Sequence, residues 1–157
     1  MTANPMPAAV VLAGSRGGTD PVAAYAGIAD KALIDLGGQT MLARVIDALR
    51  AANVGDIAVA ANAPAVATEA AANGARMLPA AAGPSASTAA ALSTLGAPLL
   101  VTTGDHALLQ PAWIRDFLAE VPPAADVAVL LARRESVERA APGSRRNVPL
   151  SSDRVTA

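Results

Sequence analysis

The chain has 157 residues, a formal net charge of −1, only 16% charged residues and no cysteine. These figures exclude a basic nucleic-acid-binding face, a disulfide framework, thiolate zinc sites and cysteine nucleophiles. No apolar run approaches the roughly 18–20 residues of a membrane span, and Met1 to Pro7 lacks the basic start of a secretory signal. A soluble, cytoplasmic protein with neither a nucleic-acid nor a membrane partner is expected. The length suits one domain, since a chain of this size hides roughly two-thirds of its unfolded surface. The apolar fraction of 53% includes 41 alanines, and only Tyr25, Trp113 and Phe117 are aromatic. The core must therefore be built from Ala, Val, Leu and Ile. The basic residues are eleven arginines and one lysine, Lys31, and there is one histidine, His106.

Taken in chain order, Ala8 to Leu12 is a short apolar, β-branched run that stops at Ala13-Gly14. It reads as a strand buried on both faces, as in a parallel sheet. Ser15 to Ala29, rich in Gly, Ala and Pro, reads as a loop, and Lys31 to Leu36 as a short extended segment ended by Gly37-Gly38. Thr40 is placed as an N-cap, and Met41, Leu42, Val45, Ile46 and Leu49 recur at helical spacing. Asp56 to Ala61 is a second strand, Pro64 to Asn73 an alanine-rich helix with proline in its first turn, and Ala75 to Leu78 a third strand. Pro79 to Pro84 is a loop and Ser85 to Leu95 a helix. Pro98 to Thr103 is a fourth strand, Pro111 to Val121 a helix, and Asp126 to Ala132 a fifth strand.

Strands that alternate with helices make β-α-β units, so a Rossmann-like three-layer α/β/α fold with a mainly parallel sheet is expected. Right-handed crossovers put the strand C-terminal ends on one edge, where ligands bind in such sheets. Residues 1–140 read as one domain. Residues 141–157 read as a polar, disordered tail.

Four constellations fall on that edge. Leu12-Ala13-Gly14-Ser15-Arg16-Gly17-Gly18 follows the first strand; its backbone N–H groups could cradle phosphate, or it is an ordinary βα turn. Lys31, inside Asp30-Lys31-Ala32-Leu33-Ile34, is a compact cation suited to phosphate charge or an exposed loop lysine. Gly83-Pro84-Ser85 opens a helix, either as a base or sugar contact or as a serine cap. Asp105, in Thr102-Thr103-Gly104-Asp105-His106, is either a magnesium ligand working with phosphate oxygens or a turn residue. His106, with no second histidine, reads as a turn residue. A dinucleotide-binding Rossmann enzyme is a weaker alternative: the glycines at 14, 17 and 18 do not follow that fingerprint, and Ala60-Ala61-Asn62 stands where an acid would close the second strand.

Leu12-Ala13-Gly14, Asp30-Lys31-Ala32-Leu33 with Gly37-Gly38 and Met41-Leu42, Gly83-Pro84, and Gly104-Asp105-His106 with Pro111 occur in the order found in one family. Over roughly Ala8 to Leu131 the chain resembles the molybdenum cofactor guanylyltransferases and related sugar-1-phosphate and cytidylyl transferases. The resemblance implies a GT-A-like sheet that binds a nucleoside triphosphate, GTP among the candidates, and transfers its nucleoside monophosphate to a phosphorylated small-molecule acceptor. Pyrophosphate leaves, and Mg2+ assists. By the same resemblance, Leu12, Ala13, Gly14 and Ser15 would hold nucleotide through the backbone. Arg16 and Lys31 would neutralise phosphates, Gly83, Pro84 and Ser85 would sit near base or sugar, and Asp105 would bind the metal.

The chain departs from the family at three places. Ser15 replaces a second glycine, Gly-Pro-Ser-Ala-Ser replaces Gly-Pro-Leu-x-Gly, and Pro142 to Ala157 resembles nothing in family members, which continue further. The first two leave base choice open. The third makes the chain resemble a truncated or frameshifted member, for which poor solubility or self-association is expected, and it admits the alternative of an inactive remnant that only binds nucleotide.

Overall fold

Ala9, Val10 and Val11 are fully buried, so the first strand, β1 (Ala8–Leu12), must be covered on both faces. The computed structural model, which describes residues 6–14 and 20–143, shows how. β1 lies between two parallel neighbours in a four-stranded sheet of order β3-β2-β1-β4, with β2 at Ile57–Ala60, β3 at Arg76–Leu78 and β4 at Leu99–Thr103. The register sets Thr103, Leu12, Ala60 and Leu78 side by side at the C-terminal end. At about 4.8 Å per strand, that row spans roughly 14 Å.

The helices are α1 (Pro21–Tyr25), α2 (Met41–Ala51), α3 (Pro64–Ala72), α4 (Pro84–Leu95), α5 (Pro111–Glu120) and α6 (Arg134–Ala140). From β1 to β2 to β3 the chain moves outward in one direction, then returns past β1 to β4. Right-handed crossovers therefore put α2 and α3 on one face and α4 on the other. The buried clusters follow this division. Leu42, Ile46 and Leu49 of α2, Val66 of α3 and Ile114 of α5 pack with Ala9, Val11 and Val59. Ala91 of α4 packs with Val10 and Ala60. Alternate residues of one strand thus enter opposite cores, as the period of two requires. The all-parallel sheet and the α/β class match the sequence expectation.

The face against α2 holds most of the large buried side chains, and α2 is well specified. Its apolar stripe recurs at helical spacing, and the Thr40 hydroxyl accepts the Ala43 N–H at 3.0 Å while donating to Glu69 of α3 at 2.7 Å. The turn before it needs its glycines: Gly37 and Gly38 have φ of 72° and 90°, where L side chains are strained, and the Gly38 N–H is taken by the Asp35 carboxylate at 2.8 Å.

Four expectations need correction. Lys31 to Leu36 is not a single extended segment: Lys31–Leu33 is one turn of 3-10 helix, and only Asp35 pairs, across the turn, with Thr40. The expected loop Ser15 to Ala29 contains α1, a five-residue helix with Asp20 as its cap. No element is expected after Ala132, yet α6 forms there; it has no buried residue and carries an i,i+4 Arg134–Glu138 ion pair at 2.7 Å. The expected fifth strand, Asp126 to Ala132, does not form. A strand needs a neighbour for its N–H and C=O groups, and among the described residues none pairs with this run. Val127 is 81% exposed.

The chain divides into two compact units, Met1–Ala119 and Glu120–Ala157. The first contains the sheet and α1 to α4 with nearly all of α5; the second contains the unpaired apolar run and α6. Ser15 and Arg16, and the tail from residue 144 onward, lie outside the described residues. Among the described residues no helix is long and apolar enough to cross a membrane.

Candidate functional site

Strand order reverses direction between β1 and β4, and the crevice outside the carboxyl ends at such a switch point is where open α/β sheets bind ligands. Leu12 to Gly14 leave β1 there, and Gly104-Asp105 leave β4. The Gly104 N–H donates to the Leu12 carbonyl at 2.9 Å. Gly104 is buried, and a Cβ on it would stand 3.1 Å from that of Ala13 and 3.4 Å from that of Ala32. A side chain at 104 would push these three segments apart. This close approach brings the turn after β4 against the 3-10 turn that carries Lys31.

The consequence is an ion pair: Lys31 Nζ lies 2.6 Å from Asp105 Oδ2. A second carboxylate, Asp20 Oδ2, stands 3.7 Å away on the other side. The Asp105 hydrogen bond raises the Lys31 ammonium above its ordinary value, with burial working against it. Burial pushes the Asp105 carboxyl up, but the Lys31 hydrogen bond, the Thr103 hydroxyl and the Lys31 charge together outweigh it and hold it below the usual carboxylate range. The Ala23 N–H, more than Lys31, lowers Asp20. All three groups therefore keep their charges across the neutral range. The side chains are between 34% and 39% exposed, and pairs this exposed contribute only about 0–1 kcal/mol to stability. The arrangement therefore adds little to the stability of the fold.

Gly83, Pro84 and Ser85 follow the loop after β3 and open α4, which packs against β1. Gly83 caps α4, Pro84 is its first residue, and Ser85 is exposed in its first turn. The buried serine here is Ser87, whose hydroxyl accepts the Ala81 N–H at 2.9 Å. Asn62, closing β2, holds Ala80 through both amide atoms, each at 3.0 Å. A Cβ on Gly14 would stand 3.3 Å from that of Ala80, so the loops after β1 and β3 are in contact. The structure thus brings Lys31 together with Asp105, and Gly14 with the Ala80 loop. Ser15 and Arg16 lie outside the described residues.

His106 is a turn residue, as expected: its N–H donates to Thr103 and its carbonyl accepts from Leu109. Beside Asp105 opens a cavity of about 550 Å³ lined by Leu36, Met41, Asp105, His106, Leu108 and Trp113. Asp20 was not singled out from the sequence. Its signal was there in Asp20-Pro21, an acidic cap followed by proline at the first helical position.

A family model described as "MobA-like NTP transferase domain" matches residues 9–148. The chain belongs to the MobA-like NTP transferase domain family. No curated protein sequence matches it. Among solved structures it is similar to a nucleotidyl transferase from Methanothermobacter thermautotrophicus at 25% identity and TM-score 0.64, covering 74% of this chain and 58% of that one. It is similar to a hypothetical transferase from Thermus thermophilus at 28% identity and TM-score 0.68, covering 90% and 57%. A CMP:2-keto-3-deoxy-manno-octonic acid synthetase complexed with CTP shares the fold at 20% identity and TM-score 0.59, covering 72% and 46%. The MobA-like chain therefore spans less than three-fifths of each of these structures.

Proposed function

We propose that this MobA-like chain is a nucleotidyltransferase that moves a nucleoside monophosphate from a nucleoside triphosphate to a phosphorylated small-molecule acceptor, releasing pyrophosphate. The observation that carries this reading is the Lys31–Asp105 pair at the β1/β4 switch point. A cation and a carboxylate side by side there suit a triphosphate: lysine takes phosphate charge, and the carboxylate suits the metal that accompanies it.

Among the described residues no three His, Asp or Glu side chains group together as a metal site. Magnesium does not need such a cage, since it takes one or two carboxylates and completes its shell with phosphate oxygens and water. Asp105, a little over one-third exposed at the switch point, fits that requirement. When bound, the ion would neutralise phosphate charge. The remaining work falls to the chain. The backbone from Leu12 to Gly14 positions the triphosphate, with Ser15 and Arg16 carried forward as further phosphate contacts. Lys31 turns from Asp105 to the phosphates. Gly83, Pro84 and Ser85, at the start of α4 and just after the Ala80 loop that meets Gly14, are where base or sugar would reach.

The acceptor's phosphate oxygen forms a bond to the α-phosphorus, and the bond to the pyrophosphate oxygen breaks. A phosphate nucleophile is already anionic, so positioning and charge neutralisation suffice. The apolar cavity beside Asp105 offers the acceptor room. The β4 edge, with Val101 41% exposed, supports the expectation of self-association.

Pyrophosphate release is the test, run with ATP, CTP, GTP and UTP against a panel of phosphorylated acceptors. Release that depends on both an acceptor and Mg2+ is expected for at least one pair. Nucleotide binding with no release from any pair would leave the inactive-remnant reading instead.

A further inference from the structure

The two oxygens of the Asp20 carboxylate have different partners. Oδ1 accepts the N–H groups of Val22 at 2.9 Å and Ala23 at 3.1 Å, capping α1. Oδ2 faces Lys31 Nζ at 3.7 Å. Ala23 is 1% exposed, so α1 is anchored and holds the carboxylate in place. Lys31 has a flexible four-carbon stem and is the member of the group that can move. Lys31, Asp20 and Asp105 together carry one positive and two negative charges, a sum of −1.

A triphosphate that arrives without a cation must draw Lys31 away from Asp105, leaving that carboxylate uncompensated beside phosphate. A triphosphate that arrives with a divalent cation brings the charge Asp105 needs. Asp20 then remains as the fixed counter-ion that keeps Lys31 at the switch point instead of in solvent.

We propose that Asp20 is a positioning residue that couples nucleotide entry to a divalent cation, holding Lys31 in place while its charge disfavours the cation-free triphosphate. This rests on the nucleotide-binding reading above. The free nucleotide carries roughly twice the negative charge of its cation complex, so removing the Asp20 charge favours the free form more.

Asp20→Asn separates the two jobs of the carboxylate, because asparagine caps a helix as well as aspartate does and carries no charge. Asp20→Ser, also a good cap, is the second variant. The measurement is calorimetric titration of the full chain and both variants with whichever of ATP, CTP, GTP and UTP the unaltered protein binds most tightly, in EDTA and in MgCl2. The expected result is an affinity for free nucleotide raised about five-fold, and for the magnesium complex changed by less than about two-fold, at 0.1 M salt. The preference for the complex then falls in both variants, with thermal midpoints unchanged. Binding with an unchanged preference in both variants would leave Asp20 as a helix cap only and overturn this inference alone. No binding of any nucleotide by the unaltered protein would overturn the proposed function and this inference with it.

Discussion

Lys31→Ala is expected to lower turnover in the pyrophosphate-release assay by about 100- to 1,000-fold, the range seen when one preorganised charge or donor at a reacting centre is removed. The variant loses more than a phosphate contact. Asp20 and Asp105, both close to Lys31, are left as two carboxylates with no cation between them, and that local charge repels the triphosphate as well. Stability should change little, because the groups are about one-third exposed and such pairs are worth only about 0–1 kcal/mol. A large loss of turnover at an unchanged thermal midpoint is the signature. Lys31→Arg should restore only part of the activity: the guanidinium keeps the charge, but as a planar fork that does not match a compact ammonium between two carboxylates. Turnover by Lys31→Ala within about three-fold of the unaltered protein would mean that the nucleotide phosphates are not at this site.

The second large effect concerns the core. Ile46→Ala is expected to cost about 2–5 kcal/mol, against about 0.5–1.5 for Ile46→Val. Ile46 is fully buried on the sheet-facing side of α2, in the cluster with Val11, Val59 and Val66. The alanine-rich composition makes this site unforgiving. Few large side chains fill this core, and many of their neighbours are alanines whose single methyl groups cannot move into a hole. The loss is a large part of the roughly 5–15 kcal/mol that holds a typical domain folded. At about 3 °C per kcal/mol for a chain of this size, Ile46→Ala should lower the thermal midpoint by roughly 6–15 °C. Thermal unfolding followed by circular dichroism checks it. A drop no larger than that of Ile46→Val would mean that α2 is not packed as described.

The parts of the fold legible in the sequence were those where burial and periodicity agree. β1 and β2 are apolar runs buried in the sheet interior, and β4 is an apolar run, only partly buried at the sheet edge, that stops at Gly104-Asp105. α2 carries an unbroken apolar stripe behind a threonine cap. α4 was misjudged by one residue, because Pro84 is its first residue and Gly83 its cap. α1 was missed because five residues cannot display a helical period. The run Asp126 to Ala132 misled in the opposite direction: composition supplies β-branched residues, but a strand also requires a neighbour, and no local pattern supplies one.

The site divides in the same way. Lys31 and Asp105 stood out because one is the chain's single lysine and the other follows a strand end. Their meeting depends on Gly104 packing against Ala13 and Ala32, a contact between segments far apart in the chain. Asp20 is legible as a helix cap from Asp20-Pro21, but its approach to Lys31 is set by the fold and not by any local pattern.

The single lysine also provides the most direct test of the central claim. Protein grown with lysine labelled by carbon-13 at Cε carries the label on Lys31 alone, so one proton–carbon correlation reports the end of that side chain. On titration with a magnesium nucleotide, this resonance should move and saturate at the affinity found by calorimetry, and the movement should be lost when Asp105 is replaced by asparagine and the nucleotide no longer binds. A nucleotide that saturates the protein while the Lys31 resonance stays in place would contradict the account.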